Sequence, residues 1–339
     1  MRWPGRVVHY YFDDTKFDPS LKESVLRGMK KISENTCITF STEPAEMIIR
    51  MVTADISNCY AAIGRVQQNQ QFVYSQSCFS SGTAMHELIH AIGFLHAHQR
   101  LDRDEYLNIE EFDDPEGQYL VYKNQKLIVP YDYGSIMQYS PTDNQMSPKN
   151  DDYFYTMGSQ IPSFYDYLMI NTYYQCSCEQ SNLTCLNQGY PNPANCSQCN
   201  CPYGFGGADC SQRAEPGITL ESSADWKTYI FSLDSRSAKS SDGDEHWQID
   251  FMYYYLWITS PANKTVEVKF PRREGTECED GCKYGGIEVK TDEDPRMTSP
   301  RKCCHRGMKL FKSRNNPTVV MAFNSKGIDE YTVAYRYTD

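Results

Sequence analysis

The sequence predicts an α+β domain, then a small segment held by disulfides, then a β-sandwich. Three observations carry that division. Residues 1–175 mix strand-like and helix-like stretches. Residues 178–210 place six cysteines in thirty-three positions among Gly, Pro and Asn. From about residue 213 the chain is a series of short aromatic or alternating runs split by turn residues. A chain of 339 residues suits two or three domains, and we divide it as 1–176, 177–212 and 213–339.

In the first part, VVHYYFD (7–13) alternates as a strand. Leu21, Val25, Met29 and Ile32 then share one helical face, with Asp18 or Ser20 as N-cap. CITFST (37–42), EMIIRMV (46–52) and QFVYSQ (71–76) read as strands, and Ser81 to about Gln99 as a helix. The second part has no room for a helix or a sizeable core, so cystines must hold it. In the third, WKTYIFSL (226–233), WQIDFMYYYLWI (247–258), KTVEVKF (264–270), GGIEVKT (285–291), PTVVMAF (317–323) and YTVAYRY (331–337) read as sandwich strands.

A net charge of −11, with no basic run of five or more, argues against nucleic acid as the main partner. The longest apolar patch, FMYYYLWI (251–258), is far short of the ~18 residues of a transmembrane helix. The 14 cysteines are dense and even in number, which predicts disulfides and an oxidising compartment. Sequons at Asn182, Asn195 and Asn263 agree with a secreted, extracellular glycoprotein. MRWPGRVV lacks the apolar centre of a signal peptide, so a signal peptide and propeptide are expected upstream of this chain. Adjacent Cys303 and Cys304 do not comfortably pair with each other, so each is expected to reach back to Cys278 or Cys282.

The chemistry concentrates in HELIHAIGFLHAHQR (86–100). His86 and His90 are four apart and share one helical face, where both imidazoles reach one metal ion. Glu87 stands beside them, placed to take a proton from water. A catalytic zinc needs three protein ligands and one open position. Gly93 permits the left-handed turn that ends a helix, so His96 returns as the third ligand. His98 breaks the spacing and is expected to be exposed or hydrogen-bonded; His9, His246 and His305 are expected to be structural. YDYGSIMQY (131–139) supplies a tight turn with Met137 as its apolar methionine. Tyr139, two residues on, is placed to bring its phenol to the metal or to a substrate oxyanion.

Together HELIHAIGFLHAHQRLDRDEY (86–106) and YDYGSIMQY resemble the astacin family of zinc metalloproteases, over residues 1–176. The resemblance implies a two-lobed metzincin protease domain with a twisted mixed sheet and an active-site helix. It implies one Zn2+ per chain on His86, His90 and His96, Glu87 as general base, and Tyr139 as a further ligand that swings to stabilise the transition state. It also implies the bridges Cys37–Cys176 and Cys59–Cys78, and QFVYSQ as an edge strand to which an extended substrate adds. The cysteine spacing of 178–210, ending in CPYGFGGADC, resembles an EGF-like module and implies Cys178–Cys196, Cys185–Cys199 and Cys201–Cys210. The C-terminal part resembles a CUB domain, and the order of modules is that of secreted nematode-type astacins.

The expected function is a secreted zinc-dependent endopeptidase acting on extracellular proteins, whose EGF-like and CUB-like parts make protein contacts. The alternative is a catalytically weak or dead relative acting as an interaction module. Its support lies in three departures from the family pattern: Ala97 where a glutamate is usual, Gln138 where a histidine is usual, and a shortened stretch at 140–159, expected to line the pocket for the residue after the cleaved bond. A structural zinc site is disfavoured because such sites close with four protein ligands.

Overall fold

The computed structural model describes residues 2–54, 58–115, 117–123, 125–142, 145–235, 250–274, 278–304 and 310–339. His246, His305 and the start of the WQIDFMYYYLWI run lie outside the described residues. The N-terminal part is built on a five-stranded sheet of β1 (Val7–Phe12), β2 (Thr39–Ser41), β3 (Ile49–Val52), β4 (Tyr60–Ala61) and β5 (Gln70–Val73), in the order β2-β1-β3-β5-β4. All neighbours are parallel except β4, which runs antiparallel to β5.

A parallel pair needs a crossover, and α1 (Lys22–Asn35) supplies it between β1 and β2. A short 3-10 turn precedes it, where the Asp18 carboxylate accepts from Ser20 N–H. Val25, Met29 and Ile32 bury one face of α1 against Val8, Ile49, Met51 and Phe72 of the sheet and against α2 (Ser81–Ala91). Gly28 lets the helices approach, since a Cβ there would lie 3.1 Å from Met85 N.

The QFVYSQ strand, expected at an edge, is not one: β5 lies between β3 and β4. Tyr60 and Ala61 pair with Val73 and Phe72, and the Cys59–Cys78 bridge holds this two-residue strand on the outside. The second helix stops at Ala91, well short of the expected Gln99, because Gly93 takes φ +113° and turns the chain away. A third helix, α3 (Phe164–Tyr174), escapes sequence periodicity because the apolar and aromatic residues of FYDYLMINTYY are spread around the helix rather than along one face. Its signal is the reciprocal cap of Ser163 and Asp166. Between α2 and α3, β6 (Leu107–Ile109) pairs with β7 (Met146–Pro148).

Next come the hairpin β8 (Tyr190–Asn192) and β9 (Asn195–Asn200) and the pair β10 (Phe205–Gly206) and β11 (Gln212–Arg213). The expected bridges Cys178–Cys196, Cys185–Cys199 and Cys201–Cys210 staple this segment, and Cys37–Cys176 ties the end of α1 to the end of α3. The last carbonyls of α1 are capped from outside. Asn192 Nδ2 donates to Glu34 O at 2.8 Å, while Asn171 and Asn200 donate to Asn35 O at 2.9 and 2.8 Å.

The C-terminal part is a sandwich. One sheet has the order β12 (Gly217–Glu221), β14 (Met252–Thr259), β19 (Thr318–Asn324), β16 (Gly285–Val289) and β17 (Arg301–Lys302). The other has β13 (Lys227–Asp234), β20 (Ile328–Thr338), β15 (Thr265–Glu274) and β18 (Phe311–Ser313). Leu256, Ile258, Val266, Val268, Ile287, Val320 and Val333 fill the space between them. Cys278 joins Cys304 and Cys282 joins Cys303, which resolves the pairing left open by the sequence.

This sandwich is packed onto the N-terminal part through polar groups and through an apolar cluster of Tyr155, Ile161, Tyr255, Met321 and Phe323. Arg301 N–H donates to Thr156 Oγ1 at 2.9 Å and its Nη1 to Ser159 Oγ at 2.5 Å. Thr298 donates to Asp132 at 3.1 Å, Tyr165 to Asp294 at 2.6 Å, and Asp250 meets Lys31, Arg27 and Ser81. Behind Arg301, the buried Glu288 carboxylate bridges Lys290 Nζ at 2.8 Å and Arg301 Nε at 3.0 Å. Burial alone would raise the Glu288 pKa, but Lys290 and Arg301 outweigh it and hold it below the usual glutamate range. A folded pKa below the unfolded one means this stabilisation is full above the ordinary glutamate range and is lost as pH falls through the folded value. Glu288→Gln therefore leaves two buried cations facing an amide, and is expected to lose roughly 3 kcal/mol or more at neutral pH. Urea unfolding checks this; a loss under about 1 kcal/mol would show that the joint tolerates the unpaired cations.

Candidate metal centre

The Ser80 hydroxyl starts α2 by accepting from Thr83 N–H at 2.9 Å, and the helix then carries His86, Glu87 and His90. After Gly93 the chain doubles back and returns His96 to the same place. His86 Nε2 and His90 Nε2 lie 3.2 and 2.9 Å from His96 Nε2. Two ligand nitrogens of a tetrahedral zinc stand about 3.3 Å apart, so the three tips fit one ion. Among the described residues this is the group of three such side chains placed to hold a metal.

Each helix imidazole is aimed by a backbone carbonyl. His86 Nδ1–H donates to Ile136 O and His90 Nδ1–H to Phe94 O, both at 2.7 Å. That fixes the tautomer and leaves the Nε2 lone pairs free for a metal. Burial, then repulsion from His86, lowers the His90 pKa to about 3; burial also lowers those of His86 and His96. The rings are therefore neutral, as ligands must be. These donors fit zinc by type and spacing.

Glu87 is buried beside them, and burial pushes its carboxyl up to about 8, although one oxygen accepts from Ala61 N–H. Its Oε2 has no hydrogen-bond partner. A cation on the three imidazoles opposes that shift by favouring the carboxylate.

Met137 is buried in the main core cluster, and its carbonyl accepts from Ala97 N–H at 2.8 Å, directly after His96. The turn is gripped by Asp166, a residue that sequence reasoning misses. Its carboxylate accepts from Ser135 Oγ at 2.5 Å, Ile136 N–H at 2.9 Å and Ser163 N–H at 2.7 Å. Asp166 thus joins the first turn of α3 to the carbonyl that orients His86. Tyr139 lies with its ring 4.2 Å from that of His96, and its hydroxyl donates to Gln118 Oε1 at 3.4 Å. Gln118 is missed as well; nothing in its sequence neighbourhood marks it.

The expectation of an exposed His98 is overturned, while its hydrogen bond stands. His98 is fully buried, stacks 5.0 Å from His96 and meets Gln118 O through Nε2 at 2.9 Å. Room for it exists because the 117–122 segment folds over the histidines, bringing Tyr119 within 5.1 Å of its ring. His9 is structural, as expected, with Nδ1 on Glu43 O at 2.9 Å. Ala97 is buried and lines a cavity of about 440 Å³ with Asp132, Ser135 and Asp166. Gln138 is buried too, accepting from Tyr131 OH at 2.5 Å and donating to Tyr139 O at 3.1 Å.

Residues 1–175 match the peptidase family described as Astacin. Zinc metalloproteinase-like protein nas-21 of Caenorhabditis elegans is 52% identical over 100% of this chain and 86% of its own length. Zinc metalloproteinase nas-22 of the same organism is 51% identical over 89% of this chain and 85% of its own. Among solved structures, high choriolytic enzyme 1 of the medaka fish Oryzias latipes, a hatching enzyme zinc-protease, is 26% identical, covering 52% of this chain and 94% of that one with a TM-score of 0.46.

The grip of Asp166 on the methionine turn is testable by metal affinity. Asp166→Asn puts amide hydrogens against the N–H groups that the carboxylate now accepts from, and is expected to weaken Zn2+ binding 10- to 100-fold, roughly the usual scale for groups that orient a ligand. Competition with a chromophoric chelator measures it. An unchanged affinity would mean that His86 is held without this turn.

Proposed function

The chain belongs to the astacin family of peptidases and is a zinc metalloendopeptidase; from that premise we propose that it is secreted and cleaves extracellular proteins with Glu87 as general base and Tyr139 as a donor to the oxyanion. The observation that carries this reading is the free, buried Oε2 of Glu87 beside three converging imidazoles, in a cleft bounded by β4 on one side and Tyr139 on the other.

An extended substrate adds to the open edge of β4, which replaces β5 as the strand that receives it. His86, His90 and His96 would hold the zinc, which would supply Lewis acidity toward the scissile carbonyl and the attacking water. Glu87 keeps one oxygen on Ala61 N–H and takes the water's proton on Oε2, then passes it to the leaving amine nitrogen. Tyr139 gives up Gln118 and donates to the carbonyl oxygen as negative charge develops there, a contact of ~3 kcal/mol.

Secretion draws support from the bridging of all 14 cysteines. No helix among the described residues is long and apolar enough to cross a membrane. Asn182, Asn195 and Asn263 are exposed, as glycan acceptors must be. We assign the boundaries 1–176, 177–212 and 213–339 to a protease, an EGF-like and a CUB-like domain, the last two making protein contacts. Of the three departures behind the weak or dead alternative, Ala97 and Gln138 displace none of the three histidines or Glu87.

Cleavage of gelatin that a chelator abolishes and Zn2+ restores is the direct test. Glu87→Ala is expected to keep about one zinc per chain while turnover falls by ~10² or more; zinc loss as large as in His90→Ala would make Glu87 a structural group. Tyr139→Phe is expected to lower kcat more than it raises KM, and an unchanged kcat would leave Tyr139 a packing residue.

A further inference from the structure

The 117–122 segment is strapped over the histidines by hydrogen bonds to its backbone. Asp114 takes Gln118 N–H and Tyr119 N–H on its two carboxylate oxygens, at 2.9 and 2.8 Å. Gln118 O accepts from His98 Nε2–H and Gln99 Nε2, at 2.9 and 3.0 Å. Arg103 Nη1 donates to Tyr119 O and, at 2.9 Å, to His98 O. Tyr122 N–H reaches Gln99 O at 3.2 Å. The strap is thus anchored on His98 and Gln99, which follow closely on the third ligand, His96. The buried His98 ring lies 5.0 Å from that of His96 and 4.4 Å from that of Tyr139.

These bonds occupy the backbone of Gln118 and leave its side chain another task. The half-buried side chain lines the cleft together with the three histidines, Glu87 and Tyr139. Its Oε1 accepts from Tyr139 OH at 3.4 Å. A bond that long is weak, which suits a partner that must be given up during the reaction, since little is lost on release.

Off Gln118, the phenol has two destinations. One is the substrate oxygen. The other is the metal, because the Tyr139 ring stands 4.2 Å from the ring of His96, and a phenol oxygen can fill the open position of a three-histidine zinc as water does. A tyrosine settled there would compete with water and substrate, and only the fraction of molecules without it could bind. The family resemblance implies a tyrosine that ligates the metal; Gln118 gives this one a different resting partner.

We propose that Gln118 is a positioning residue, a latch that holds Tyr139 off the metal between turnovers and keeps it a donor rather than a ligand. The proposal rests on the protease reading above, and a measurement without substrate separates the two. The full-length protein is loaded with Cu2+ in place of Zn2+, because a phenolate bound to Cu2+ gives a visible charge-transfer band. The unmutated protein is expected to lack this band and Gln118→Ala to show it. Gln118→Glu, which keeps an acceptor in place, should lack it again, and so should Gln118→Ala combined with Tyr139→Phe. Gln118→Ala leaves the strap itself intact, since the anchoring bonds are made by the backbone. With Zn2+ bound, Gln118→Ala is expected to raise KM ~5-fold, the scale of one neutral hydrogen bond, and more than it lowers kcat. That is the reverse of Tyr139→Phe. A band equally strong in the unmutated protein and Gln118→Ala overturns the proposal, as does a band absent from both. If Cu2+ does not bind, the three imidazoles are no metal centre and the proposal falls with them. A band that depends on Gln118 in a protein that cuts no gelatin would uphold the latch and overturn the protease reading instead.

Discussion

The metal centre depends on one carboxylate that never touches it. Asp166 takes two backbone N–H groups and a hydroxyl in a fully buried place, where each unmade hydrogen bond would be expensive. Burial raises its pKa to about 6, so it resists ionisation more than an ordinary aspartate and holds its charge through these three donors. Through Ile136 it sets the tilt of His86, and through Ser163 it starts α3. The ligand tips can then converge only when α2, the methionine turn and α3 have all docked. A tight site emerges from three elements that are far apart in sequence.

A second constraint is that the sandwich meets the protease through buried charge and hydroxyls, alongside an apolar cluster of Tyr155, Ile161, Tyr255, Met321 and Phe323. Glu288, Lys290, Arg301, Thr298, Asp132 and Ser159 are buried and mutually satisfied. Such a joint is directional: its hydrogen bonds hold in one relative orientation, where an apolar seam would tolerate sliding.

The sequence makes the local chemistry readable and the assembly much less so. The offsets of His86, Glu87, His90, Gly93 and His96 encode the site because helix geometry and one left-handed turn convert spacing directly into position. The strands of the sandwich are readable for a similar reason, since period-two burial leaves its mark on residues such as Val266 and Val268. What stays hidden lacks a period. α3 spreads its apolar and aromatic residues around the helix rather than along one face, β4 has two residues, and Gln118 acts through contacts across long chain separations. The burial of His98 is illegible because nothing local says that the 117–122 segment closes over it.

The capping of α1 from outside has a consequence for how such chains can vary. The helix ends with its carbonyls presented to Asn171, Asn192 and Asn200, two of them in the small cystine-rich segment. That segment is thus a completing piece of the catalytic unit, and not a spacer that could be exchanged freely for another of the same cysteine pattern. A graft that kept every bridge but changed Asn192 and Asn200 would leave Glu34 O without its donor and Asn35 O with Asn171 alone, and would reach, through Gly28 and its contact with Ala84 and Met85, the helix that carries the histidines. In this molecule, modularity by sequence and modularity by exchange are different properties.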